Sequence, residues 1–251
     1  MHRYCLDVAI AFEDLRVLHD SGALYAALSQ LLLQEGVEER LGGEFDYAAD
    51  LAEDSFVFTG HESGQTLATT VELMASVAPG PQSILWGRAL PSGGRAGAQM
   101  ILERGRADGL PSLLNDEVPF PVGDDPDTAA EYAALEIGAV VAAVTGGGIT
   151  YVVSVGGGSL AVLLLGDLEF ARPRIDHRFP ARVPMALGAG TIEDHRSAMH
   201  GLAVMSGWAV DWTDDWTRAE LTDPVTGNSA TAEFDEYARL TGLRQRITST
   251  E

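Results

Sequence analysis

Lysine is absent from this chain. Its 16 basic residues are all arginine and stand against 37 acidic ones, for a formal net charge of −21. Absence of lysine fits a GC-rich coding sequence, but the acidity is a physical property whatever its origin. It favours solubility, repels nucleic acid and anionic membrane, and attracts a basic partner. No basic patch with interleaved aromatics occurs, so nucleic-acid binding is not expected. Cysteine is nearly absent too. One residue, Cys5, excludes an intrachain disulfide and a cysteine-rich structural zinc site. It sits in an apolar run and reads as buried and inert. No secretory signal is visible, because Asp7, Glu13 and Asp14 break the N-terminal apolar stretch. The expected location is cytoplasmic.

Cofactor and catalytic fingerprints are missing as well. There is no G-x-S-x-G, no Walker pattern, no G-x-G-x-x-G and no metal-ligand spacing. Neither cofactor nor metal is expected. The acidic loop GDDPD, Gly123 to Asp127, lacks EF-hand spacing.

What is present is 46% hydrophobic residues, enough for a sizeable core. One stretch, Ile137 to Gly166, carries no charge. Two glycine triplets, Gly146–Gly148 and Gly156–Gly158, interrupt it. They are too costly for a membrane helix, and no basic cluster flanks the run. Instead it predicts a helix, a strand (ITYVVSV), a glycine turn and a second buried strand (LAVLLLG). The helix opens on Thr128-Ala-Ala-Glu131, which has capping-box spacing.

Elsewhere, apolar spacing predicts helices over Ser21–Gln34 (stopped by Gly36), Gly64–Ala78, Thr191–Gly207 and Ala232–Leu243. Strand-like runs are YCLDVAIAF, SFVF, SILWGRAL and WAVDW. The stretch SILWGRALPSGGRAGAQMILERG reads either as a hairpin through PSGG or as a strand, loop and helix opening at Arg95; we take the hairpin. Residues 111–127, rich in proline and acid, form an expected linker between a half at 1–110 and a half at 128–251, which also permits one continuous domain. The expected fold is α+β, a mostly antiparallel sheet with amphipathic helices packed on it.

Two features stand out as candidate sites. Asp-His-Arg occurs twice, at Asp176-His177-Arg178 and Asp194-His195-Arg196. If the protein is an enzyme, a hydrolase or transferase, then Asp176, His177, Asp194 and His195 are its acid/base candidates. The tract WAVDWTDDWT spaces Trp208, Trp212 and Trp216 by four, with Asp211, Asp214 and Asp215 between them. It reads as an aromatic platform rimmed by carboxylates, or as core tryptophans with solvated aspartates. The net charge and this tract together favour a non-enzymatic interaction protein that docks on a basic partner: an inhibitor, an immunity-type protein or a complex subunit.

Overall fold

The computed structural model describes residues 11–90, 95–121, 125–166, 168–189 and 192–248. Its helices are α1 (Arg16–Leu41), α2 (Ala96–Asp108), α3 (Pro111–Leu114), α4 (Pro126–Val144), α5 (Phe179–Ala189) and α6 (His195–Met205). Its strands are β1 (Phe45–Asp50), β2 (Ser55–Gly60), β3 (Thr66–Ala78), β4 (Ser83–Trp86), β5 (Glu117–Pro119), β6 (Ile149–Gly156), β7 (Ser159–Leu165), β8 (Ala209–Trp212), β9 (Arg218–Thr222), β10 (Ser229–Phe234) and β11 (Leu240–Arg246). The fold is α+β with every strand pairing antiparallel. A curled seven-stranded sheet runs β1-β2-β3-β4-β5, with β7 against β3 and β6 against β7. A four-stranded sheet runs β11-β10-β9-β8. The larger sheet draws strands from both sides of residues 111–127, and β5 within that stretch pairs with β4.

The long first helix organises the core. Its successive turns enter three apolar clusters: Leu15 (just before it) and Leu18, then Leu24, Tyr25 and Leu28, then Leu33, Val37 and Leu41. Two glycines allow backbones to touch. A Cβ on Gly22 would lie 2.0 Å from the Ala139 carbonyl oxygen of α4, and one on Gly201 of α6 would lie 1.9 Å from that of Ser21. The predicted stop at Gly36 is overturned. A Cβ there would strike the Phe170 ring at 2.2 Å, so this glycine serves packing, and the helix ends at left-handed Gly42.

The uncharged stretch is the helix and hairpin the sequence predicts, but the hairpin is buried only toward its base: Ser154 to Gly156 are exposed at its tip, with Val155 at 58%. Gly156–Gly158 turn β6 into β7, each at positive φ. Among the described residues no helix is long and apolar enough to cross a membrane. The cap of α4 differs from expectation: Asp125, not Thr128, accepts from the amides of Asp127 and Thr128, and Pro126 takes the first turn, where no amide is needed.

Three further expectations are corrected. Gly64–Ala78 is strand β3, not a helix. The Ala232–Leu243 helix is the β10–β11 hairpin. After β4 and a short 3-10 turn, a helix opens beyond Arg95, so the strand–loop–helix alternative holds and the hairpin does not. Residues 91–94, most of YCLDVAIAF with Cys5, and Gly123 and Asp124 of the acidic loop lie outside the described residues.

Several acids serve the backbone. The Glu72 carboxylate, on β3, accepts from the Gly97 and Ala98 amides at 3.0 Å each and caps α2 from the side. Asp14 accepts from the Ser112 amide and hydroxyl at the start of α3. Glu136, buried in α4, accepts from the Ala11 and Phe12 amides at 2.8 and 3.1 Å. Each carboxylate satisfies amides at or just before the start of a helix or 3-10 turn, which the helix itself leaves unpaired.

Candidate surface at the tryptophan tract

The tract begins where α6 ends. Gly207 is left-handed, the Gly207 amide bonds to the Val204 carbonyl, and the Trp208 amide bonds to the Ala203 carbonyl at 2.8 Å. This is the doubly bonded Schellman ending, whose second residue past the cap turns inward. Trp208 accordingly lies in the core, 5% exposed, its ring 5.6 Å from Phe179 in an edge contact. It is not part of any surface.

Strand β8 follows, then a tight turn into β9. Alternation points Val210 and Trp212 toward the core and Asp211 away from it. Trp212 is half-buried. Its ring lies 5.5 Å from Phe234, and its indole N–H donates to His200 Nδ1 at 3.2 Å. In the turn the Trp216 amide bonds to the Thr213 carbonyl, and Trp216 itself has φ 58°. That conformation suits glycine or asparagine and is unfavourable for a bulky side chain. Trp216 holds it while 55% exposed, its ring 5.3 Å from Trp212. Three rings thus form an exposed shelf in sequence His200, Trp212, Trp216.

The three aspartates of the tract separate by role. Asp215 is spent on the turn: it accepts from the Thr213 hydroxyl and from the Thr217 amide and hydroxyl, and these bonds hold its carboxyl below the usual range. Asp211 and Asp214 are exposed. The register places Asp211 directly opposite Glu220 of β9, a like-charge pair, and like charges in that position are destabilising. The next residue across the sheet from Glu220 is Thr231, followed by Arg244. Among the described residues, Asp211, Asp214 and Glu220 make no ion pair. Glu220 and His200 were not singled out for this surface from the sequence. The β8–β9 register sets Glu220 beside Asp211, and the packing of α6 on β8 brings His200 to the Trp212 indole; neither placement can be read from local sequence.

The two Asp-His-Arg copies are held apart. Asp176 caps the approach to α5, accepting from the Arg178 amide at 2.9 Å, and it pairs with Arg182 at 3.2 Å. Arg182 in turn pairs with Glu35, near the C-terminal end of α1. His177 beside it is exposed. Asp194 is the N-cap of α6, accepting from the Arg196 and Ser197 amides. The neighbouring Glu193 pairs with Arg16, at the opposite end of α1. The stretch of helix between Arg16 and Glu35 spans about 28 Å. His195 is tied to the β10–β11 turn: its Nδ1 accepts the Leu240 amide at 3.0 Å. Burial, then the Arg239 charge, holds this imidazole below its ordinary value. Asp176, Asp194 and His195 thus serve local structure at separate places, His177 is exposed, and the two copies do not meet.

Residues 16–168, α1 through β7, match the family model described as a family of unknown function, DUF6882. No curated protein and no solved structure matches the chain. The tryptophan surface lies beyond the matched span.

Proposed function

We propose, for a chain that belongs to this family of unknown function, that it is an acidic interaction module docking on a basic protein through the Trp212–Trp216 shelf. The observation that carries this reading is Trp216: a large aromatic held exposed, in a backbone conformation that disfavours it, next to uncompensated carboxylates. Exposed tryptophans supply affinity where they become desolvated, and charge supplies steering. The reading covers an inhibitor, an immunity-type protein or a subunit of a complex. The separation of the two Asp-His-Arg copies gives no support to the hydrolase or transferase alternative.

The test compares two baits. Full-length protein and its Asp211→Asn/Asp214→Asn/Trp216→Ser variant are immobilised, and bound proteins are compared. A basic protein is expected on the first and lost from the second. Its association rate with the wild-type chain is expected to fall at least tenfold between low and physiological salt, as for steered encounters. Asp215 is left in place because its loss would unmake the turn. Identical sets on both baits, or association indifferent to salt, would sink the reading.

A further inference from the structure

We infer that the partner adds an extended, cationic segment to the free edge of β8 as a fifth strand of the small sheet. This rests on the docking reading above and deepens it. β8 is terminal in the order β11-β10-β9-β8. The Thr213 amide bonds to the Arg218 carbonyl at 3.0 Å, in register with the Trp212–Ala219 and Asp211–Glu220 pairs. Hydrogen-bonded and non-bonded pairs alternate in an antiparallel ladder, so Ala209 and Asp211 direct their backbone groups to β9. Val210 and Trp212 then direct their N–H and C=O groups outward. Among the described residues nothing outside the β8–β9 ladder pairs with them.

The charge of the occupant follows from the same register. A residue added opposite Asp211 would sit in a non-bonded pair, where Cα atoms approach to about 4.5 Å and side chains are closest. Its side chain would lie on the outward face, in line with Asp211 and Glu220. A lysine or arginine there would relieve the like-charge pair that the fold leaves standing. Residues flanking it would face the other side, beside Trp212. The opposite edge, β11, offers no such site for a cation, because Arg244 and Arg246 stand at the corresponding outward positions. The segment is therefore amphipathic with a period of two, cationic on one face and apolar on the other.

Two synthetic heptapeptides test this against the full chain. Both alternate lysine with valine, and one carries N-methyl groups on the amides that would meet β8. Amide exchange is followed by nuclear magnetic resonance. The unmethylated peptide is expected to slow exchange at Val210 and Trp212 at least tenfold at saturation. Methylation is expected to weaken binding about tenfold, the worth of two backbone hydrogen bonds. Asp211→Asn, exposed and outside the core, is expected to weaken it several-fold. Equal binding of both peptides with Val210 and Trp212 exchanging freely overturns strand addition and leaves the docking surface standing. Slowed exchange that grows with protein concentration, without peptide, assigns the edge to a second copy and also overturns it. No binding of either peptide at millimolar concentration overturns it too, and the docking reading then rests on the bait comparison alone.

Discussion

Trp208→Ala is expected to cost the fold about 3–5 kcal/mol, the range for truncating a buried tryptophan. The indole fills the cluster shared by α1, α5, α6 and the small sheet, and its backbone closes the end of α6. A fall in Tm of roughly 10 °C should accompany the loss. Trp208→Phe keeps a ring against Phe179 and removes an indole N–H that has no partner among the described residues, so most of the stability should return. Trp216→Gly should behave oppositely to the alanine variant. It relieves a left-handed backbone at about 1–2 kcal/mol and forfeits a ring contact worth about 0.5–1.5 kcal/mol, so stability should stay nearly constant. Urea midpoints for the three variants check this directly. A large loss in Trp216→Gly would show that the exposed ring is structural, and the case for recognition would go with it.

The second large effect concerns Glu136. Removing its carboxylate in Glu136→Ala leaves the Ala11 and Phe12 amides without their acceptor, at an expected cost of about 2–4 kcal/mol. Burial raises this carboxyl above its ordinary value of 4.5, and the two amide bonds and the charges of His19 and Arg16 only partly oppose it. The sign follows. Because the folded value is raised, the contribution to stability is complete below 4.5 and is lost as pH climbs through the folded value. Wild-type protein should therefore lose stability relative to Glu136→Gln as pH rises from about 4 toward neutrality. Other carboxylates cancel in that difference. A wild-type-minus-variant stability that does not change with pH would mean that Glu136 titrates alike in the folded and unfolded chains.

The sequence was most legible where glycine marks the ends of elements. Between Ile137 and Gly166 two triplets cut an uncharged run into a helix and two strands, and the structure has those three elements. Asp194 heads α6 within the region expected to be helical. The misreadings have specific causes. In β3 the pairing with β7 skips a residue between Leu73 and Ala75. That bulge breaks the alternation of period two, so Leu67, Val71, Met74 and Ala78 imitate a helical stripe. In Ala232–Leu243 the chain reverses at Asp235–Arg239, where the Asp235 carboxylate accepts from the Tyr237 and Arg239 amides and Ala238 takes the left-handed position. No glycine or asparagine announces that turn. The tract itself was visible as unusual, but its four-residue spacing concealed the division. A helix ending sends Trp208 inward and a turn sends Trp216 outward, and neither follows from spacing.

The long first helix has an implication for ancestry. The family match ends at Leu168, yet the middle of α1 faces a cluster drawn almost wholly from later residues: Leu24, Tyr25 and Leu28 meet Ile175, Phe179, Met199 and Leu202. A relative consisting of the matched span alone would present that stripe to water. Shorter relatives should therefore carry polar residues at these three positions, while Leu33, Val37 and Leu41, which pack inside the matched span, stay apolar. The stripe on one helix would then record whether a lineage gained or lost the C-terminal sheet.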